Sequence, residues 1–304
     1  MKSIMLLILL LGLNGFKIIP TNSSKNVRII EDKSLSYKID GLKLCEISDL
    51  VYDKNSSTLF MLSDKGILFT FNAKFDNKGF KLKALHAYRL KDKSGKILKD
   101  NRRDSEGMAL DDKGNLYISF ERINKIFHFS KNGVMLNEVK LPKTLKNIEP
   151  SSGNKSFESL AWDKRYGLIT ALEYPKEGLN RINQTIYSIT GKEWNFKMEN
   201  IKRNGISEVE VMDDGNLLIL ERAFNWFMGK FEVNLVKLDI NSCKAGEYCK
   251  KEILLKLKIN RFFNMENFEG LTNLGNGKYL MISDDNNNIL ALTKLVYFEI
   301  SPKK

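Results

Sequence analysis

Two histidines and three cysteines in 304 residues leave little room for several kinds of chemistry. His86 and His128 have no partner at metal-ligand spacing, which disfavours zinc. A histidine-dependent nucleophilic triad is equally ill supplied, and both histidines read as strand residues filling a sheet face. The chain has no Gly-x-Ser-x-Gly elbow, no Walker-type phosphate loop and no Arg-His-Gly signature. Alanine is sparse, which argues against a helical bundle. No basic run is interleaved with aromatics, so nucleic acid is not an expected partner even at a net charge of +12. That charge is scattered and suits either a solvated surface or long-range attraction of anions. Past the first twenty residues no apolar run approaches membrane length.

What is present begins at the N-terminus. Residues 1–20 read as an export signal: Met1-Lys2, an apolar stretch over 4–13 broken by Gly12, then polar Thr21-Asn22-Ser23-Ser24. No small-x-small site follows the apolar stretch, so the segment reads as cleaved or as a retained anchor. A periplasmic or secreted location is expected, with residues 21–304 forming one domain. Cys243 and Cys249 enclose Lys-Ala-Gly-Glu-Tyr, a spacing for a disulfide-closed turn in an oxidising compartment or for two free thiols. Cys45 is expected to pack as a small buried hydrophobe.

The organising feature is a repeat. In EISDLVYD (46–53), DSEGMALD (104–111), SFESLAWD (156–163), GISEVEVM (205–212) and NFEGLTNL (267–274), alignment on the following apolar residue stacks five polar residues in one column. They are Ser48, Glu106, Glu158, Ser207 and Glu269, at spacings of 58, 52, 49 and 62 residues. Each is followed by a second short apolar strand, at 59–63, 116–120, 168–172, 217–220 and 279–283, after turn residues such as Asp112-Lys113-Gly114-Asn115. Each second strand closes on an acid: Asp64, Glu121, Glu173, Glu221 or Asp284, 14 to 16 residues beyond the column residue. A recurrence of about fifty residues is the signature of a propeller. The expected fold is all-β, a β-propeller of five blades with six as the alternative. Its ring would close by pairing 27–30 or 35–39 with 294–300.

A ring of blades brings the column residues to the central channel. Three converging glutamates repel one another, and a bound cation removes the conflict. Oxygen-only ligands favour Ca²⁺ before Mg²⁺ or Mn²⁺. The expected metal ligands are therefore Ser48, Glu106, Glu158, Ser207 and Glu269; the competing reading bonds them to water or backbone amides at the channel mouth. The second acidic column supplies the candidate catalytic carboxylates Glu121, Glu173, Glu221 and Asp284. Lys65, Arg103, Arg122, Arg222 and Asn286 are candidate contacts for an anionic substrate.

DSEGMALDDKGNLYISFER, SFESLAWD with LEYP, GISEVEVMDDGNLLILERAF and NFEGLTNLGNGKYLMISDDNN resemble the repeats of the phytase-like family, "esterase-like activity of phytase", from about 41 to 300. Leu-Glu-Arg (220–222) and the Asn-Phe-Glu-Gly and Ser-Asp-Asp-Asn runs are its more specific marks. The resemblance implies exported bacterial propellers. The Ser, Glu, Glu, Ser, Glu order also resembles the axial ligands of the five-bladed calcium-activated nucleotidases, which implies Ca²⁺ at the five column residues. Ser-Asp-Lys (63–65) and Ser159 depart mildly from the pattern, which more usually has Ser-Asp-Arg and Gly there. Together these readings anticipate a monomeric, calcium-dependent hydrolase of phosphate esters. The rival is a non-catalytic envelope-binding propeller in which calcium is structural, with lactone hydrolysis a third reading.

Overall fold

The computed structural model describes residues 17–19, 26–149, 157–201, 203–225, 230–260, 267–285 and 293–301. Asn286 and nearly all of the expected leader lie outside them. The first strands are β1 (Lys17–Ile19) and β2 (Val27–Ser34), then a small hairpin of β3 (Lys38–Ile39) and β4 (Leu42–Lys43). Five antiparallel sheets follow. Blade 1 is β5 (Ile47–Asp53), β6 (Thr58–Ser63), β7 (Ile67–Phe75) and β8 (Phe80–Arg89). Blade 2 is β9 (Ser105–Leu110), β10 (Leu116–Phe120), β11 (Lys125–Phe129) and β12 (Met135–Glu138). Blade 3 is β13 (Phe157–Asp163), β14 (Gly167–Leu172), β15 (Asn183–Ser188) and β16 (Glu193–Lys197). Blade 4 is β17 (Asn204–Val211), β18 (Leu217–Asn225), β19 (Lys230–Asp239) and β20 (Lys250–Asn260), with β1 added at its outer edge.

Blade 5 takes β21 (Asn267–Gly275), β22 (Lys278–Asp284) and β23 (Lys294–Ile300) from the end of the chain. Its fourth strand comes from the beginning: β2 pairs antiparallel with β23, from Val27 opposite Ile300 to Ser34 opposite Lys294. This is the first of the two closures the sequence offered, and it removes an open edge. The innermost strands contact one another in the cyclic order β5, β9, β13, β17, β21 and back to β5. The protein is a five-bladed β-propeller.

Each blade is covered on both faces, so its strands read as nearly continuous apolar runs. Five hydrophobic cores lie between the five pairs of neighbouring blades. The two-residue period of a strand sorts side chains between them. In β22, Leu280 and Ile282 enter the core shared with blade 1, while Tyr279 and Met281 enter the one shared with blade 4. Cutting such a leucine to alanine typically costs about 2–5 kcal/mol. Cys243 and Cys249 are joined in a disulfide, with Cα atoms 5.0 Å apart, in the β19–β20 connection. Cys45 is only partly buried, which departs from the expectation of a core position.

One local irregularity recurs in every blade. Where each innermost strand begins, its register with the second strand slips, at Ser48, Glu106–Gly107, Glu158, Ser207 and Glu269. A β-bulge re-aims the side chain at the extra residue. The polar column is thus a column of bulges. The residue after it is small in three blades, Gly107, Ser159 and Gly270, and acidic in two, Asp49 and Glu208. A Cβ on Gly107 would stand 2.5 Å from the Leu160 nitrogen, and one on Gly270 2.9 Å from the Asp49 Cα. Adjoining innermost strands there approach backbone to backbone.

Candidate functional site

Second strands run antiparallel to first strands, so the bulges and the acids ending the second strands meet at one mouth of the channel. Blade 4 differs from the others there. Its second strand continues past Glu221, with Arg222 and Ala223 paired to Gly205 and Asn204. Gly205 admits blade 3 closely: an added Cβ would lie 3.0 Å from Glu173 Cγ and 3.1 Å from the Glu173 carbonyl oxygen.

The extension carries the Arg222 guanidinium into the channel. Nη2 donates to Glu158 Oε1 at 2.9 Å and Glu173 Oε1 at 3.1 Å. Nη1 donates to Asn267 Oδ1 at 3.0 Å and to Glu269 Oε1, which also accepts from the Asn267 amide. One cation thus joins blades 3, 4 and 5. The side chains of Arg222, Glu158, Glu173 and Glu269 are 15, 9, 5 and 17% exposed, so these charges interact at short range with little water between them.

The blade 1–2 side of the same mouth is arranged differently. Asp104, Glu106 and Glu121 each bring a carboxylate oxygen within 4.8 Å of the other two. No donor among the described residues reaches the Glu106 carboxylate. Burial first, then the charges of Glu158, Glu269, Glu121 and Asp104, holds its pKa well above the usual range. Asp64 sits nearby; burial pushes it to about 6, with Lys65 opposing the rise and Glu46 and Asp104 adding to it. Lys65 bridges Glu46 at 2.8 Å and Asp64 at 3.3 Å, and Arg122 binds Asp104. Arg103 is exposed at the rim, its Cβ beside Gly66.

The expected site residues are therefore distributed unevenly. Glu106, Glu158 and Glu269 converge, but Arg222 occupies two of the three. The Ser48 hydroxyl donates to the Ser105 carbonyl at 2.9 Å and the Ser207 hydroxyl to the Leu220 carbonyl at 3.4 Å. Glu173 belongs to the arginine cage. Glu221 turns the other way, because neighbours in a strand face opposite sides; it meets Lys251 at 3.4 Å and the Glu199 amide at 3.5 Å. Asp284 ends β22 beside Asn267 and is largely buried. His86 and His128 stand on outer strands; the first is exposed near Asp40, the second stacks on Tyr117. Arg222, anticipated as a substrate contact, spends its donors on the protein itself.

Three carboxyls deeper on the axis were not singled out from the sequence. Asp49 accepts from the Leu50 amide at 2.6 Å and from Met108 of blade 2 at 2.5 Å. Glu208 accepts from Val209 at 2.7 Å and interacts with Asp49. Burial drives both well above the carboxylate range, and the charge of Asp49 raises Glu208 further. Glu210 accepts from Val211 at 2.6 Å and Asn273 of blade 5 at 3.1 Å; burial raises it to about 7. These acids satisfy amides on inner strand edges that have no ladder partner. Beyond Glu210 the opposite mouth opens into a cavity of about 580 Å³, lined among others by Asp53, Asp111, Trp162 and Arg165. Its aspartates cap turns, as where Asp111 accepts from Lys113 and Asn115. The signal for the deep pair was readable: an acid follows the column residue only where that residue is serine.

A divalent cation fits this donor set on one side only. Asp104, Glu106 and Glu121 offer hard oxygen ligands; Asp104 also binds Arg122, and no donor among the described residues reaches Glu106. Glu158 and Glu269 already have their cation in Arg222.

Among solved structures, the chain is similar to a streptogramin B lyase, at 9% identity and TM-score 0.40 over 92% of this chain and 100% of that one. It is similar to virginiamycin B lyase from Staphylococcus aureus at 9% identity and TM-score 0.41, covering 88% and 99%. The WD40 domain of Neurospora crassa Pan2 gives 8% identity and TM-score 0.38, covering 92% and 97%. No curated protein matches the chain. The model of the family "Phytase-like: Esterase-like activity of phytase" matches residues 43–287, a span that contains every bulge of the channel and the whole arginine cage. The chain belongs to the phytase-like family.

Proposed function

We propose that this propeller is an exported, calcium-dependent hydrolase of phosphate esters that works at the blade 1–2 side of the bulge-lined mouth. The observation that carries this reading is the Glu106 carboxylate, set beside Asp104 and Glu121 with no donor among the described residues. Those three side chains would hold the ion. Bound Ca²⁺ would supply positive charge to a phosphate oxygen and to water. Lys65, Arg103 and Arg122 stand at the rim as contacts for an anion. Asp64, poised at about 6, holds a proton within the pH range where a general acid or base is effective. A net charge of +12 favours the approach of anionic substrates. The Cys243–Cys249 disulfide supports an oxidising compartment. Among the described residues no helix is long and apolar enough to cross a membrane. A ring closed by its own termini needs no second copy to cover an edge, which supports a monomer.

Arg222 favours a second reading. The most deeply set cation of the mouth is committed to four protein acceptors and leaves anion binding to exposed rim residues. A non-catalytic envelope-binding propeller, with structural calcium, fits that arrangement. The two are separated by phosphate release from phytate, nucleoside di- and triphosphates and an aryl phosphate, in calcium and in EGTA. Release that needs calcium and is lost in Glu106→Gln supports the hydrolase. No release in either buffer gives the binding propeller.

A further inference from the structure

Glu158, Glu173 and Glu269 come from two blades that flank blade 4, and each places an oxygen on the same guanidinium. Three converging carboxylates and an amide oxygen form the donor set of a hard divalent cation. Here the positive charge arrives instead on a side chain, delivered by a strand that runs four residues past the acid at or just before which its counterparts end. The planar fork of arginine matches the task, since it serves acceptors on both edges at once.

We propose that Arg222 is a built-in substitute for a divalent cation, and that the Glu158–Glu173–Glu269–Asn267 cage becomes a divalent-cation site when its guanidinium is removed. The cage is separate from the Asp104–Glu106–Glu121 group, so the inference stands whether or not the hydrolase reading holds. It gives the chain two axial positions of unlike kind. One is filled permanently by the protein and ties three blades together without any ion. The other is left to an ion from solution.

The test compares wild type with Arg222→Gln by thermal melting in EDTA and in millimolar calcium, with bound calcium counted by titration calorimetry. In EDTA the variant is expected to melt roughly 5–10 °C below wild type, because three carboxylates lose the guanidinium they share. Calcium should recover most of that loss, a larger increment than it gives wild type, and the variant should bind one additional equivalent. If Arg222→Gln does not fold in EDTA, refolding that succeeds only with calcium supports the proposal. Arg222→Lys, which keeps a charge but not the fork, supplies a folded intermediate case with a smaller excess increment. A variant destabilised in EDTA that gains no more from calcium than wild type, and binds no additional ion, overturns it.

Discussion

The two sides of the bulge-lined mouth start from the same repeat and end with opposite electrostatics. On the blade 3–5 side, three glutamates converge on Arg222, whose two terminal nitrogens make four hydrogen bonds. On the blade 1–2 side, Glu106 has no donor among the described residues and stands among like charges. Closure of the first group contributes structure, because one cation holds three blades. Openness of the second leaves capacity for a ligand. The difference arises from blade 4 alone, whose second strand runs on while those of the other blades stop at their acid or just before it.

Breaking the closed side should have the largest effect. Denaturant unfolding of Arg222→Gln in EDTA is expected to show a loss of about 3–5 kcal/mol, the usual consequence of removing one partner from a buried ionic group. A loss under about 1 kcal/mol, typical of exposed pairs, would erase the contrast between the two sides.

The axial acids below both sides give the next effect. Glu210 titrates at about 7 in the folded protein, above its value in the unfolded chain. Its protonated form is therefore favoured by folding: full stability is present at low pH and declines as pH rises from about 4.5 towards 7. Glu210→Gln should flatten that decline and be more stable than wild type at pH 8, by on the order of 3 kcal/mol. Melting curves between pH 5 and 8 that stay parallel for the two proteins would contradict it.

On the open side the expected sign reverses with conditions. Glu106→Gln should melt slightly higher than wild type in EDTA, through relief of repulsion worth about 1 kcal/mol, and should lose the calcium increment. An unchanged calcium increment would remove Glu106 from the ion's ligands. Arg122→Gln at the rim should have the smallest effect on stability, since its ion pair with Asp104 is half exposed. Its effect belongs in KM for a phosphate ester, measured at low and high salt.

Much of this could be read before any coordinates. Turn chemistry, short apolar runs and the recurring acid were enough to favour five blades over six, because each blade is a local hairpin unit that repeats its pattern. The three acids of the cage were visible as column members, and Arg222 as a neighbour of Glu221. That the two neighbours face opposite ways follows from strand alternation alone, and this could have placed only one of them in the channel. Asp104, two residues before Glu106 on the same side, was open to the same argument. The pairing of Asp49 with Glu208 joins residues of blades 1 and 4, a relation that exists only once the ring is closed.

The sequence by itself determined the repeat unit, the number of units and the polar residue that each directs inward, since these depend on contacts between near neighbours in the chain. Only the tertiary structure decided which charges meet. Ring closure brings residues from all five blades together on one axis, and the electrostatic energy of that meeting depends on distances and burial that no local pattern encodes.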